Sequence, residues 1–415
     1  MTPRIVVAGA SLGGLRAAEQ LRAAGWRGAV TVVGEEPHLP YNRPPLSKEV
    51  LAGKAPSTSL AFTLRASVAD VEWRLGTRVA AADLAGRRVV LDGGGRLDFD
   101  GLVVATGVRP RRLHCPGPTA GRHTVRTLAD AEGLRAELLR PGVRLVVVGA
   151  GFIGCEVAAT AVGLGVAEVT VVDPEPLPML RALGELPARE LLRRHRERGV
   201  RFALGTRVSA FTGGEPVAGG EPVTGRGRVT GVVLADGTEL PADVVVESVG
   251  SVANTEWLAG NALDLTDGVL TDEHLRVGGL PHVVAVGDVA RFPNARYDGV
   301  PRRVEHWCIP TDTARHAART LVAHLHGAAA PPEPFAPLPG FWSDQHDVRL
   351  QSFGAPALGT GDVRVLDRGP NGDVLVGYHR DGRLVGVLAL GGRNVAAAAA
   401  RHRAELLAQP TLAAP

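Results

Sequence analysis

Short runs of uninterrupted apolar residues recur along this 415-residue chain, and most of them end on glycine. Residues 4–15 read RIVVAGASLGGL; residues 144–155 read RLVVVGAGFIGC, the same pattern 140 positions later. In both, a β-branched run too short for a helix and without polar alternation predicts a strand covered on both faces. The glycines predict a tight turn, and the residues beyond them a helix. VTVV at 30–33, and again at 169–172, predicts a second strand. Two copies of a βαβ unit follow, and with them an α/β fold built on two Rossmann-like dinucleotide-binding domains. The runs LVVATG (102–107), VESVG (246–250) and VVAVGD (283–288) add three more strand–turn signals. The pattern changes after PPEPFAPLP at 331–339, a proline-rich stretch that predicts a linker. Beyond it LVGYHR and RLVGVLAL, joined by Asp381-Gly382, read as an antiparallel pair followed by a helix, hence an α+β C-terminal domain.

Composition narrows the class without supplying chemistry. With 45% hydrophobic and 21% charged residues the chain is globular. No apolar run approaches the roughly 20 residues a membrane helix needs. The stretch Ile5 to Ala8 runs straight into a glycine-rich turn and is no secretory signal, so the expectation is a cytoplasmic protein. Interspersed signs and a net charge of +3 exclude a nucleic-acid footprint. Three cysteines exclude a disulfide-stapled scaffold. Among 46 basic residues only Lys48 and Lys54 are lysines. A lysine kept in so arginine-rich a chain points to a place where a compact ammonium is required.

The second repeat carries a full dinucleotide fingerprint: Gly149, Gly151 and Gly154, with Asp173 closing the next strand. In the first repeat Gly9 and Gly14 hold the outer positions, Ser11 the middle one, and Gly13 neighbours the third. A serine there is small enough to sit beside a phosphate and can donate a hydrogen bond to it. Glu35 supplies the ribose acid. Asp288, ending VVAVGD, can accept hydrogen bonds from a polyol such as the ribityl chain of a flavin. PYNRPPLSK at 40–48 is stiffened by three prolines and presents Arg43 and Lys48, which suits a phosphate-rich cofactor. Cys115, Cys155 and Cys308 are far apart, which excludes disulfide exchange; no spaced Cys/His set points to a metal. Redox chemistry then falls to a bound cofactor. Residues 174–180 contain no Arg or Lys to offset repulsion between Asp173 and a 2′-phosphate, which predicts NADH over NADPH.

PYNRPPLSK, LVVATGVRP, TVRTLADA, GAGFIGCE, VAVGD, RVEHW and FWSDQHDVRLQ, in this order across nearly the whole chain, resemble the oxygenase-coupled NADH–ferredoxin reductases. The resemblance implies an FAD-binding domain from 1–113 and 246–326, an NAD-binding domain at 114–245 inserted in it, and a C-terminal interface-type domain at 327–415. It implies FAD on Gly9, Ser11, Gly13, Gly14, Glu35, Arg43, Lys48, Val79, Ala105, Thr106, Gly107, Arg126, Asp288 and Trp307, with Val79 acting through its backbone. It implies NAD on Gly149, Gly151, Phe152, Ile153, Gly154, Glu156, Asp173 and Gly250. Lys48 and Glu156 become the catalytic pair, meeting where the nicotinamide stacks on the flavin. Glu156, two residues past Gly154, is expected in the first turn of its helix, where the dipole favours a carboxylate. The implied partner is a ferredoxin serving an oxygenase such as a cytochrome P450; Arg315, Trp342 and the arginine-rich segment near Arg401 and Arg403 are candidates for a face that docks an acidic iron–sulfur protein. The implied state is a monomer or weak homodimer. The chain departs from the family at Ile309 and Thr313, where an Asn and a Gln are usual, a change expected to shift the flavin potential or the acceptor. Pro310 between them is expected to start the helix. Two other readings are an NADH oxidase or quinone reductase of the same fold, and a redox-sensing binding protein resembling apoptosis-inducing factor.

Overall fold

A computed structural model describes residues 3–213, 227–329, 331 and 333–409. The first apolar run becomes the strand Arg4–Ala8 inside a six-stranded sheet. Its order is Arg276–Val277, Leu280–Ala285, Gly101–Val104, Arg4–Ala8, Ala29–Val33, Glu72–Arg74, parallel except at the first pair. The second run becomes Arg144–Val148 at the centre of a five-stranded parallel sheet ordered Arg201–Leu204, Glu168–Asp173, Arg144–Val148, Val244–Glu247, Arg122–His123. The sequence repeat is thus a structural repeat. Val6 lies between Thr31 and Leu102, and Val146 between Thr170 and Val245.

LVVATG and VESVG, so alike in sequence, are the same strand of two different units. Val244–Glu247 lies whole in the five-stranded sheet, so the boundary expected between 245 and 246 falls inside a strand. The chain leaves and re-enters the larger unit along one ribbon, with Val108–Pro110 antiparallel to Ser251–Ala253. Covering helices start where the sequence marks them. Thr127 and Asp130 form a capping box on Leu128–Leu138, and Pro310 stands in the first turn of Ile309–Leu325.

The hairpin expected near the C-terminus is Val374–Arg380 with Arg383–Gly391, part of a five-stranded antiparallel sheet that also holds Gly340–Gln345, Val348–Gly354 and Val363–Arg368. The helix Arg393–Ala408 packs on it. One helix, Phe152–Gly163, meets all three parts: it packs on its own sheet, on the turn Pro44–Ser47, and on the strand Gly340–Gln345. A single apolar core accordingly joins Leu51, Val157 and Leu350. Among the described residues no helix is long and apolar enough to cross a membrane.

Candidate functional site

Each of the two sheets feeds a helix N-terminus through a glycine turn. Gly9 (φ +120°) and Gly149 (φ +105°) adopt a backbone that only glycine enters readily, and a Cβ on either would lie 2.1 or 2.3 Å from a backbone oxygen, of Ala105 or Ser248. Gly14 and Gly154 are equally enclosed, with a Cβ falling 1.9 or 2.0 Å from the oxygen of Gly9 or Gly149. These four glycines are therefore closed by packing. Gly151 differs: a Cβ there meets nothing within 4 Å. Neither Leu12–Ala23 nor Phe152–Gly163 has a side-chain cap or an acid in its first turn, in contrast to the boxed helix at Leu128. Uncapped N–H groups beside open space are what a pyrophosphate requires.

Around the first N-terminus the polar groups form a ring. Arg43 donates through Nη2 to Ser11 Oγ (2.8 Å), through Nη1 to Arg126 O (2.6 Å) and Tyr41 Oη (2.8 Å), and pairs with Glu36. Ser11 accepts the guanidinium in this arrangement. Glu36 takes the cation, while Glu35 stands exposed at the rim. Thr106 and Asn254 exchange two hydrogen bonds (2.7 and 2.9 Å), which pins the turn Ala105–Gly107. Gly13 is buried in the first turn of its helix, and Val79 opens a separate three-stranded sheet. Across the cleft Arg126 and Asp288 approach to 3.6 Å. Burial lowers the Arg126 guanidinium and raises the Asp288 carboxyl, each against the pull of the other's charge.

Lys48 and Glu156 do meet. Lys48 Nζ lies 2.7 Å from Glu156 Oε2, and both side chains are largely buried. Glu156 is the fifth residue of its helix, not a first-turn residue, because the helix begins at Phe152. Specific donors replace the expected dipole: Ser47 Oγ at 2.5 Å on Oε2 and Ser343 Oγ at 2.7 Å on Oε1. Beside them Phe152 packs edge-on against Phe341 (4.9 Å), which in turn meets His306 (5.1 Å). Burial pushes the His306 imidazole down to about 4, and its Nδ1 is buried without a partner. That open polar atom, the unfilled space at Gly151 and the two uncapped helices fit a pair of dinucleotides. Ile153 is exposed one residue along, and Gly250 (φ +97°) has open space where a Cβ would stand.

Asp173 does double duty. Its Oδ2 accepts from Ala150 N (2.6 Å) and its Oδ1 from Glu175 N (2.8 Å), so the residue expected to bind a ribose also shapes the glycine loop. A cation stands one residue past the window read from the sequence: Arg181, held by Glu175 (Nε to Oε1 2.8 Å). At the outer rim Trp307 donates to Asn42 Oδ1 (3.0 Å) and packs edge-on against Trp342 (5.7 Å). Arg315 and Arg403 both pull on the Asp312 carboxyl, which burial raises. Ile309 and Thr313 are fully buried; Thr313 Oγ1 accepts from Gly287 N (2.9 Å) and donates to Ile309 O (2.6 Å). The hydroxyl thus braces the turn that carries Asp288.

All three cysteines are free, and burial raises each thiol. No group of potential metal ligands occurs among the described residues. Sequence reasoning missed Glu36, Ser47, Ser343, Gln345 and His306. A signal existed for two of them: Ser343 and Gln345 stand two apart in one strand and so share a face with Phe341.

Two nucleotide cradles facing one cleft, bridged by a buried lysine–glutamate pair, define a dinucleotide-dependent oxidoreductase. Residues 3–312 match the family model described as pyridine nucleotide-disulphide oxidoreductase, and residues 340–412 match the one described as reductase C-terminal. The chain belongs to the pyridine nucleotide-disulphide oxidoreductase family. It is 36% identical to putidaredoxin reductase of Pseudomonas putida, covering 88% of this chain and 82% of that one. It is 35% identical to a ferredoxin–NAD(P)(+) reductase of Sphingomonas sp. over 92% and 88% of the two chains. Among solved structures, the covalent putidaredoxin reductase–putidaredoxin complex matches with a TM-score of 0.85 and 33% identity over 98% of this chain and 93% of that one.

Proposed function

We propose that the protein is an FAD-dependent NADH:ferredoxin reductase, carrying two electrons from one NADH to two one-electron iron–sulfur acceptors with release of one proton. The observation that carries this reading is the Lys48–Glu156 bridge between the two nucleotide units in a cleft without paired thiols. FAD, when bound, accepts a hydride and releases its electrons singly. The residues around it bind, orient and shield. The first cradle, with Arg43, Arg126 and Asp288, holds the FAD phosphates and ribityl chain; the second, with Asp173, holds the dinucleotide of NADH. Lys48 supplies positive charge where the flavin becomes negative, and Glu156 keeps that ammonium in place and contacts the carboxamide. Phe152 and Phe341 exclude water from the same pocket.

The division into FAD (1–113, 246–326), NAD (114–245) and interface (327–415) domains belongs to this proposal, moved at its second crossing to follow Glu247. So do selection of NADH through Asp173, a ferredoxin that feeds an oxygenase such as a cytochrome P450, and a cytoplasmic monomer or weak homodimer. The acceptor docks at the rim of Trp307 and Trp342, where Arg315, Arg401 and Arg403 favour an acidic surface. Anaerobic titration of the yellow protein with NADH, followed by ferredoxin, quinone and oxygen in parallel, tests the reading. Full bleaching by one equivalent of NADH and fastest reoxidation by a [2Fe–2S] ferredoxin support it. A colourless protein that cannot be reconstituted, or faster turnover with quinone, overturns it.

A further inference from the structure

Lys48 and Ser47 occupy one oxygen of the Glu156 carboxylate; the other is held from the C-terminal sheet. Ser343 Oγ lies 2.7 Å from Glu156 Oε1, Gln345 Nε2 lies 3.0 Å from Ser343 Oγ, and Gln345 Oε1 lies 2.8 Å from His195 Nε2. His195 Nδ1 then lies 3.2 Å from His346 Nε2. The direction of every bond follows from the carboxylate, which only accepts. The Ser343 hydroxyl must donate to it, so the serine oxygen accepts from the Gln345 amide nitrogen. The amide oxygen must then face an N–H on His195 Nε2, leaving His195 Nδ1 to accept from His346. The four groups Ser343, Gln345, His195 and His346 are aligned toward Glu156, and Glu156, His195, Ser343 and Gln345 are buried.

We propose that Ser343, held by Gln345 and His195, is the positioning residue that fixes the Glu156 carboxylate against Lys48 and the nicotinamide. The C-terminal domain thereby completes the NADH pocket in addition to meeting the electron acceptor. This rests on the reading of Glu156 as a nicotinamide contact. The chain transmits orientation and not protons, because a side-chain amide has no exchangeable proton to pass on without becoming an imidic acid. Burial keeps both imidazoles neutral at pH 7: His195 is lowered, and His346 is pushed down to about 4 with the His195 ring beside it adding to the effect. Its far end is tied down independently. Asp347, next to His346, pairs with Arg198 of the helix end that carries His195. Without Ser343 the carboxylate keeps its bonds to Lys48 and Ser47 but is free to turn about them. An error in orientation of that kind weakens the transition state more than ground-state binding.

The test uses the FAD-loaded full chain and four variants: Ser343→Ala, Ser343→Thr, Gln345→Leu and Glu156→Gln. Stopped-flow reduction by NADH gives the limiting rate and the NADH dissociation constant, and calorimetric titration with NAD+ gives affinity without turnover. Ser343→Ala is expected to lower the limiting rate about tenfold, the effect of losing one hydrogen bond to a charged group, with NAD+ affinity changed less than about threefold. Ser343→Thr, which keeps the hydroxyl, is expected to restore most of the rate, and Gln345→Leu to fall between. If Ser343→Ala reduces its flavin within about twofold of wild type while Glu156→Gln is slow, the positioning role is wrong. If Glu156→Gln is itself unimpaired, the underlying pocket assignment is wrong. A rate loss in Ser343→Ala that Ser343→Thr fails to rescue in a stably folded protein also overturns the proposal.

Discussion

Replacing Glu175 with Gln should open the second cradle to NADPH. In the native chain Arg181 is 84% exposed and leans on Glu175, so its charge is neutralised near Asp173, the proposed ribose acceptor. An exposed ion pair of this kind contributes about 0.2–1 kcal/mol, so Glu175→Gln leaves stability almost untouched. Its effect on a 2′-phosphate is larger and has two parts. One carboxylate fewer near the phosphate relieves roughly 1 kcal/mol of repulsion at a separation of about 5 Å in a largely aqueous dielectric. The released guanidinium gains a charge-assisted hydrogen bond of about 1.5 kcal/mol. Together they raise kcat/KM for NADPH by about 50-fold, at 1.36 kcal/mol per factor of ten. NADH should be used as before, since Asp173 is held by the backbone N–H groups of Ala150 and residue 175, which the substitution keeps. Steady-state kcat/KM for both nucleotides at 50 and 500 mM salt checks this, and the NADPH gain should shrink several-fold at the higher salt. An NADPH value within about twofold of wild type, with NADH intact, would refute the electrostatic account of selectivity.

Lys48→Met is expected to slow flavin reduction by NADH by about 10–100-fold, a loss of roughly 1.4–2.7 kcal/mol, while FAD content stays at one per chain; anaerobic stopped-flow absorbance reads both. Gly149→Ala places a Cβ 2.3 Å from Ser248 O at φ +105° and should cost about 2 kcal/mol or more in stability, seen as a lowered thermal midpoint. Gly151→Ala meets nothing, so it should melt like wild type and instead raise the KM for NADH about tenfold. Changing Arg315, Arg401 and Arg403 together to Gln should lower the ferredoxin on-rate about tenfold at low salt and flatten its salt dependence. Flavin reduction by NADH in that variant provides the control.

The parts of this molecule legible in the sequence are those with a period or a punctuation mark. Two glycine-closed apolar runs 140 residues apart became inner strands of two largely parallel sheets, and Pro310 marked a helix start. The break between nucleotide units was less legible, because VESVG carries the same apolar pattern whichever sheet receives it. Only the pairing of Val246 with Val147 decides the matter. Side-chain pairings were legible where one residue type fits one job, as with Lys48, which meets Glu156. They were illegible where the partner comes from a loop: Glu36, one residue past the expected ribose acid Glu35, takes Arg43 and Tyr41, which reach it from the segment at 41–43. Arg181 was passed over for a similar reason. Its relevance depends on a loop bringing it back to Glu175, and no local pattern announces that return.

The strand Gly340–Gln345 explains how one C-terminal domain can serve both ends of the electron path. Successive side chains of a strand point to opposite faces. Phe341, Ser343 and Gln345 share one face, and their contacts include Phe152, Glu156 and His195, with His306 also against Phe341. Trp342 lies on the other face and meets Trp307 at the exposed rim. On the proposed function, alternation alone would therefore separate the entry of hydride from the exit of electrons by the thickness of one strand. The two surfaces are rigidly linked through the same backbone, which pairs with Val348–Gly354 residue for residue from Gly340 to Gln345. If the proposed function holds, that arrangement gives a physical reason for the domain to be attached at all: it would bring the acceptor to the flavin edge while Ser343 braces the Glu156 carboxylate on the opposite side.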